Sequence, residues 1–83
     1  MSDLEVRQNI GENIVRLRGD RSVYEVAKAL EIHTIQLSRI ERAMHAPGIG
    51  LLTRIAEYFG VPVDDLVASP AGKKTSRRTA QSA

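Results

Sequence analysis

The chain has no cysteine and no tryptophan, and among its 83 residues there are only two tyrosines and one phenylalanine. Without cysteine neither a disulfide framework nor a thiolate metal site can form, so a reducing cytoplasm is the expected home. Tyr24, Tyr58 and Phe59 are too scattered to build the stacking platform that single-stranded nucleic acid requires. No apolar run approaches the roughly 18 residues of a membrane span. The opening Met1-Ser2-Asp3-Leu4-Glu5 also lacks the basic-then-apolar order of a signal peptide, so a soluble, cytoplasmic protein with no membrane contact is expected. His33 and His45 have no carboxylates or thiols at ligand spacing, and a phosphate contact or plain solvent exposure suits them better than a metal. There is no glycine-rich phosphate loop and no Ser/His/Asp set, so neither an enzyme nor a cofactor is expected.

A chain of this length supports one domain, which buries only about 60% of the surface it exposes when unfolded. Its formal charge of +2 is unevenly distributed. Residues 1–68 carry eight Lys/Arg against ten Asp/Glu, whereas residues 69–83 carry four bases and no acid. A body that is slightly acidic overall can bind a polyanion only if its positive charge gathers on one face or comes from the tail. We therefore divide the chain into a folded domain, 1–68, and a basic tail, 69–83, whose lack of large apolar residues is the composition of disorder.

Helical spacing dominates the body. Ser2-x-x-Glu5 has the form of a capping box, and Val6, Ile10, Ile14 and Leu17 continue it as a helix over about 3–18, ended by Gly19-Asp20. A second box, Ser22-x-x-Glu25, opens a helix in which Val26, Ala27 and Leu30 share a face. A third helix spans about Thr34 to Arg42, with Leu37 and Ile40 inward. Pro47 and Gly48 mark a loop. Ile49, Leu52, Ile55, Ala56 and Phe59 form a fourth stripe that Gly60 terminates. Val61 to Val67 reads as a short fifth helix, with Pro62 near its start and Asp64 and Asp65 in its first turn. No segment alternates as a strand would.

The second and third helices are separated by a turn of helix-turn-helix length. That motif needs a small residue where the helices cross, an apolar anchor in the turn, and a second helix that is apolar inside and polar outside. Ala27, Ile32, and Leu37 with Ile40 meet these demands, and on a 100° wheel Thr34, Ile35, Ser38, Arg39 and Arg42 fall together on the outer face.

Val26-Ala27-x-x-Leu30, Ile32, Leu37-Ser38-Arg39-Ile40-Glu41-Arg42, Pro47 and Leu52-x-Arg54-Ile55-Ala56 resemble the Cro/repressor-type (XRE-like) helix-turn-helix family over roughly residues 10–68. The resemblance implies an all-α, five-helix lambda-repressor-like bundle that binds operator DNA as a dimer. It places His33 at the start of the recognition helix and Thr34, Ile35 and Arg39 at base-reading positions. It makes Glu41 a structural acid paired with an arginine of helix one, Arg18 first and Arg16 in reserve. Four departures from the family pattern stand out. The link from Arg18 to Ser22 is about two residues shorter, Val23 replaces a phosphate-binding glutamine, and Glu31 and Ala43 replace glycines.

Among the outer-face side chains, Arg39 suits guanine O6 and N7, a contact worth ~1–3 kcal/mol of base discrimination. Ile35 suits a thymine methyl or the edge of the core. Thr34, Gln36 and Ser38 can bond to a base or a phosphate, and Ser22, Lys28, His33 and Arg42 suit the DNA backbone. The leading expectation is a homodimeric, nucleoid-associated regulator of transcription on double-stranded DNA, a repressor or autoregulator. Its dimer surface is expected on helix five, with Leu66 and Val67, and on exposed parts of helix four. The alternative is an interaction module on the same fold that does not read DNA, motivated by Val23 and the slightly acidic body.

Overall fold

The computed structural model describes residues 2–70. Among them are five helices and no strand: α1 (Asp3–Arg18), α2 (Val23–Leu30), α3 (Thr34–Glu41), α4 (Ile49–Phe59) and α5 (Val63–Val67). Most of the basic tail, including Lys73, Lys74, Arg77 and Arg78, lies outside the described residues.

The caps explain where the helices begin. Ser2 Oγ accepts the Glu5 N–H at 3.1 Å while the Ser2 N–H donates to Glu5 Oε1 at 3.0 Å, closing the capping box of α1. At α2, Ser22 Oγ accepts the Glu25 N–H at 3.0 Å, one half of the second box. α3 ends one residue earlier than the sequence suggests, because Arg42 has left helical geometry at φ −93° and ψ 11°.

Three helices stop in the same way. A residue just past each enters the left-handed region: Glu31 directly after α2 at φ 62°, Gly60 directly after α4 at φ 70°, and Ala43, one residue beyond Arg42, at φ 63°. The following N–H then reaches back five residues, Ile32 to Ala27 at 3.0 Å, Met44 to Arg39 at 2.9 Å and Val61 to Ala56 at 3.0 Å. These are Schellman closures, which satisfy carbonyls that the helix end leaves open. Glu31 and Ala43 adopt the backbone that glycine would, so the turn keeps its shape without its usual residue.

One apolar core joins all five helices. Ile10 and Ile14 of α1 meet Val26, Ala27 and Leu30 of α2, Leu37 and Ile40 of α3, Leu52, Ile55 and Ala56 of α4, and Leu66 of α5. Ile32 packs against this core from the α2–α3 turn, and Val23 from the first turn of α2. The short α1–α2 link is held by the Arg18 side chain, which donates to the Arg21 carbonyl at 2.7 Å. The Arg21 guanidinium in turn lies 5.4 Å from the Tyr58 ring centroid and 5.6 Å from that of Phe59. Arg54 of α4 donates to the Leu30 carbonyl, another of the open carbonyls at the end of α2.

The expected role of Leu66 in a dimer surface is corrected by its burial. Its side chain is fully buried, a placement worth roughly 1.5–3 kcal/mol to the fold, and Val67 is half-buried against the same core. Two asparagines of α1 hold α5 in place. Asn13 is completely buried and its amide donates to the Leu66 carbonyl at 2.8 Å and the Ala68 carbonyl at 2.9 Å. Asn9 donates to the Val67 carbonyl at 3.0 Å. A five-residue helix cannot satisfy its own C-terminal carbonyls, and these amides do so. Helix five is therefore a wall of the core, and a second copy cannot reach Leu66 without unfolding it.

An alanine in the left-handed region costs about 1–2 kcal/mol, and a glycine there gives back part of that as extra freedom of the unfolded chain. Ala43→Gly is thus expected to raise stability by about 0.5–1 kcal/mol, read as a higher urea midpoint with an unchanged slope. A lower midpoint would contradict the strain assigned to Ala43.

Candidate nucleic-acid interface

α3 is presented by its contact with α1. At Gly11 the two helices approach so closely that a Cβ would stand 2.5 Å from the Glu41 carbonyl oxygen and 2.9 Å from that of Ile40. Only glycine permits this. On the same joint, Arg18 Nε donates to Glu41 Oε2 at 2.8 Å and Nη2 to Oε1 at 3.1 Å, a two-pronged ion pair that is largely buried. Arg16 is engaged elsewhere, donating to Asn13 Oδ1 at 3.1 Å, so Arg18 is the partner.

With Leu37 and Ile40 locked inward, the other side of α3 faces solvent. Thr34, Ile35, Arg39 and Arg42 are exposed, whereas Gln36 and Ser38 are half-buried. Ile35 is 65% exposed, so of its two readings the edge of the core is excluded. An open groove of about 650 Å3 runs along this face, lined by His33, Thr34, Ile35, Gln36, Arg39 and His45. Ser22, Lys28, Ser38 and Arg42 do not line it. Ser22 caps α2, and Lys28 extends beside Tyr24, its Nζ 5.9 Å from the ring centroid.

Among the described residues, the groove is lined by one fixed positive charge, Arg39, two imidazoles and no carboxylate. His33, at the N-cap of α3, makes no side-chain cap, so the first N–H groups of the helix have no side-chain partner there. Open N–H groups and the positive end of the helix dipole favour an anion at this place. Ile35 supplies an apolar surface between hydrogen-bonding groups. This combination can read a base edge, pack on a methyl and hold a phosphate at once.

His45 joins the groove from the α3–α4 loop; sequence reasoning left it between a phosphate contact and plain solvent exposure and did not place it with the outer-face residues of α3. Its signal was faint: it is the only ionisable side chain in Ala43–Gly48, the loop that follows the outer helix. Among the described residues no group of three metal-ligating side chains occurs, and no helix is long and apolar enough to cross a membrane.

A two-helix unit with a buried crossing, a tight turn and an outward second helix defines a helix-turn-helix domain. The helix-turn-helix family model matches residues 14–66, well over half of the chain, and the protein belongs to this XRE-type family of DNA-binding domains. No match was found among curated proteins or among solved structures.

The Arg18–Glu41 pair should behave as one unit. Glu41→Ala is expected to cost about 1.5–3 kcal/mol of stability, and adding Arg18→Ala should cost much less than its effect alone. Additive losses in urea denaturation would mean that the pair does not hold α3.

Proposed function

We propose that the protein is a sequence-specific regulator of transcription that reads double-stranded DNA with the outer face of α3, two copies acting on a two-fold site. The observation that supports this best is the groove itself. It carries polar, apolar and cationic side chains along the exposed side of α3, and among its described lining residues there is no acid that would repel phosphate. Arg39 takes guanine, Ile35 packs on thymine methyls, and Thr34 and Gln36 bond to base edges or nearby phosphates. His33, His45 and Ser22 contact the DNA backbone, as do Lys28, Ser38 and Arg42 at the margins. Half-sites lie about one helical turn apart, and occupancy of such a site blocks transcription, including that of the protein's own gene. Val23 is half-buried against the core, so the phosphate contact that the family pattern assigns to a glutamine passes here to the Ser22 hydroxyl and the open N–H groups of α2.

The test is selection of bound duplexes from a random pool by the full chain. An inverted repeat is expected, and Arg39→Ala should relax one or two positions in each half-site, a loss of about 1–3 kcal/mol against the preferred bases. Equal losses on specific and random duplexes would reduce Arg39 to a phosphate contact, and failure to retain any duplex at low salt would favour the interaction-module reading.

The four basic residues of 69–83 add charge without sequence information. Their removal is expected to lower affinity evenly for all sequences and to flatten the dependence of log affinity on log salt. No change in either would make the tail irrelevant to binding.

A further inference from the structure

We infer that the cleft between the start of α1 and the α3–α4 loop binds a small zwitterion with an apolar side chain, an aliphatic α-amino acid. The inference stands apart from the DNA reading and uses a different part of the surface. The cleft has a volume of about 400 Å3, and it is lined by Asp3, Val6 and Arg7 of α1 with Met44, His45 and Ala46 of the loop. That volume is in the range of small-molecule sites.

Arg7 is the group that lacks a partner. Its side chain is half-buried, and its Nε is covered without any hydrogen-bond acceptor. Among the described residues no other buried side-chain nitrogen or oxygen is left in this condition, and buried polar groups in folded proteins nearly always find a partner. Asp3 stands one turn earlier on α1, at the i, i+4 spacing that brings two side chains to one face, yet it forms no ion pair with Arg7. The cleft therefore holds a guanidinium and a carboxylate that do not satisfy each other. An arginine fork takes a carboxylate through two parallel N–H groups, and the long stem of Arg7 lets its fork turn to meet one entering the cleft.

The rest of the lining says what kind of carboxylate. A phosphate or a simple anion would meet Arg7 but also the Asp3 charge, and a simple cation would meet the reverse, whereas a zwitterion satisfies both. Its carboxylate goes to Arg7 and its ammonium to Asp3. Val6, Met44 and Ala46 then supply an apolar wall for the ligand side chain, and Met44, 60% exposed on an unbranched and flexible stem, can adapt to its shape. His45 adds a ring nitrogen at the rim. Since His45 also lines the α3 groove, an occupant of the cleft sits at the edge of that groove.

The test follows amide chemical shifts of the full chain as L-leucine is added in the absence of DNA. Saturable changes are expected at Val6, Arg7 and Met44 to Ala46, with a dissociation constant of about 1 mM or tighter. Isocaproate lacks the ammonium, isoamylamine lacks the carboxylate and glycine lacks the apolar side chain, so each should bind at least about tenfold more weakly. Arg7→Gln and Asp3→Asn should each lose about tenfold in leucine affinity at an unchanged urea midpoint. The three analogues keep the test decisive should either variant unfold. The inference is overturned if leucine gives no saturable change up to about 10 mM, or if its changes centre on other elements. It is also overturned if isocaproate or inorganic phosphate binds as tightly as leucine, since the cleft would then be a plain anion site.

Discussion

Glu41 carries two loads at the joint between α1 and α3. Its carboxylate takes both prongs of Arg18, and its backbone carbonyl lies where any residue larger than glycine at position 11 would collide. Oriented by that joint, α3 turns Leu37 and Ile40 inward and leaves His33, Thr34, Ile35 and Arg39 along one open groove. The pair sits at low exposure on both sides, where breaking one partner strands the other. Geometry at the outer face of α3 is thus set by an interaction on the opposite side of the helix.

The remaining helices serve this presentation by satisfying each other's ends. Asn9 and Asn13 take the carbonyls of α5, Arg54 takes the Leu30 carbonyl, and Arg18 takes the Arg21 carbonyl before the chain enters α2. A domain with so small a core gains much from such links, since open carbonyls at helix ends are costly once buried. Three left-handed closures then set the turns, two of them on residues with a side chain. Strain at Glu31 and Ala43 is tolerated because the core on both sides determines where the next helix must go.

Most of the architecture was legible in the sequence. Capping residues and apolar spacing located all five helices, and the resemblance supplied the Arg18–Glu41 pair and the family. Asn13 was missed although its position was telling: it falls on the same stripe as Ile10, Ile14 and Leu17, where a polar side chain must find a buried partner. That partner is 53 residues away, beyond the reach of any local pattern. For the same reason Leu66 was assigned to a surface, because nothing in Val63–Val67 alone reveals that α1 covers it. At the groove, the wheel separated inner from outer positions on α3, but His45 comes from a loop, and loops have no period to read.

The central claim is that the outer face of α3, held by the α1 joint, meets duplex DNA. It is tested most directly by amide chemical shifts of the full chain titrated with a duplex recovered by selection. The account predicts the largest changes from His33 to Arg39, at His45 and in the first turn of α2, with the middle of α1 and the buried turn of α5 nearly still. Changes centred on α1 or α5, with α3 silent, would contradict it.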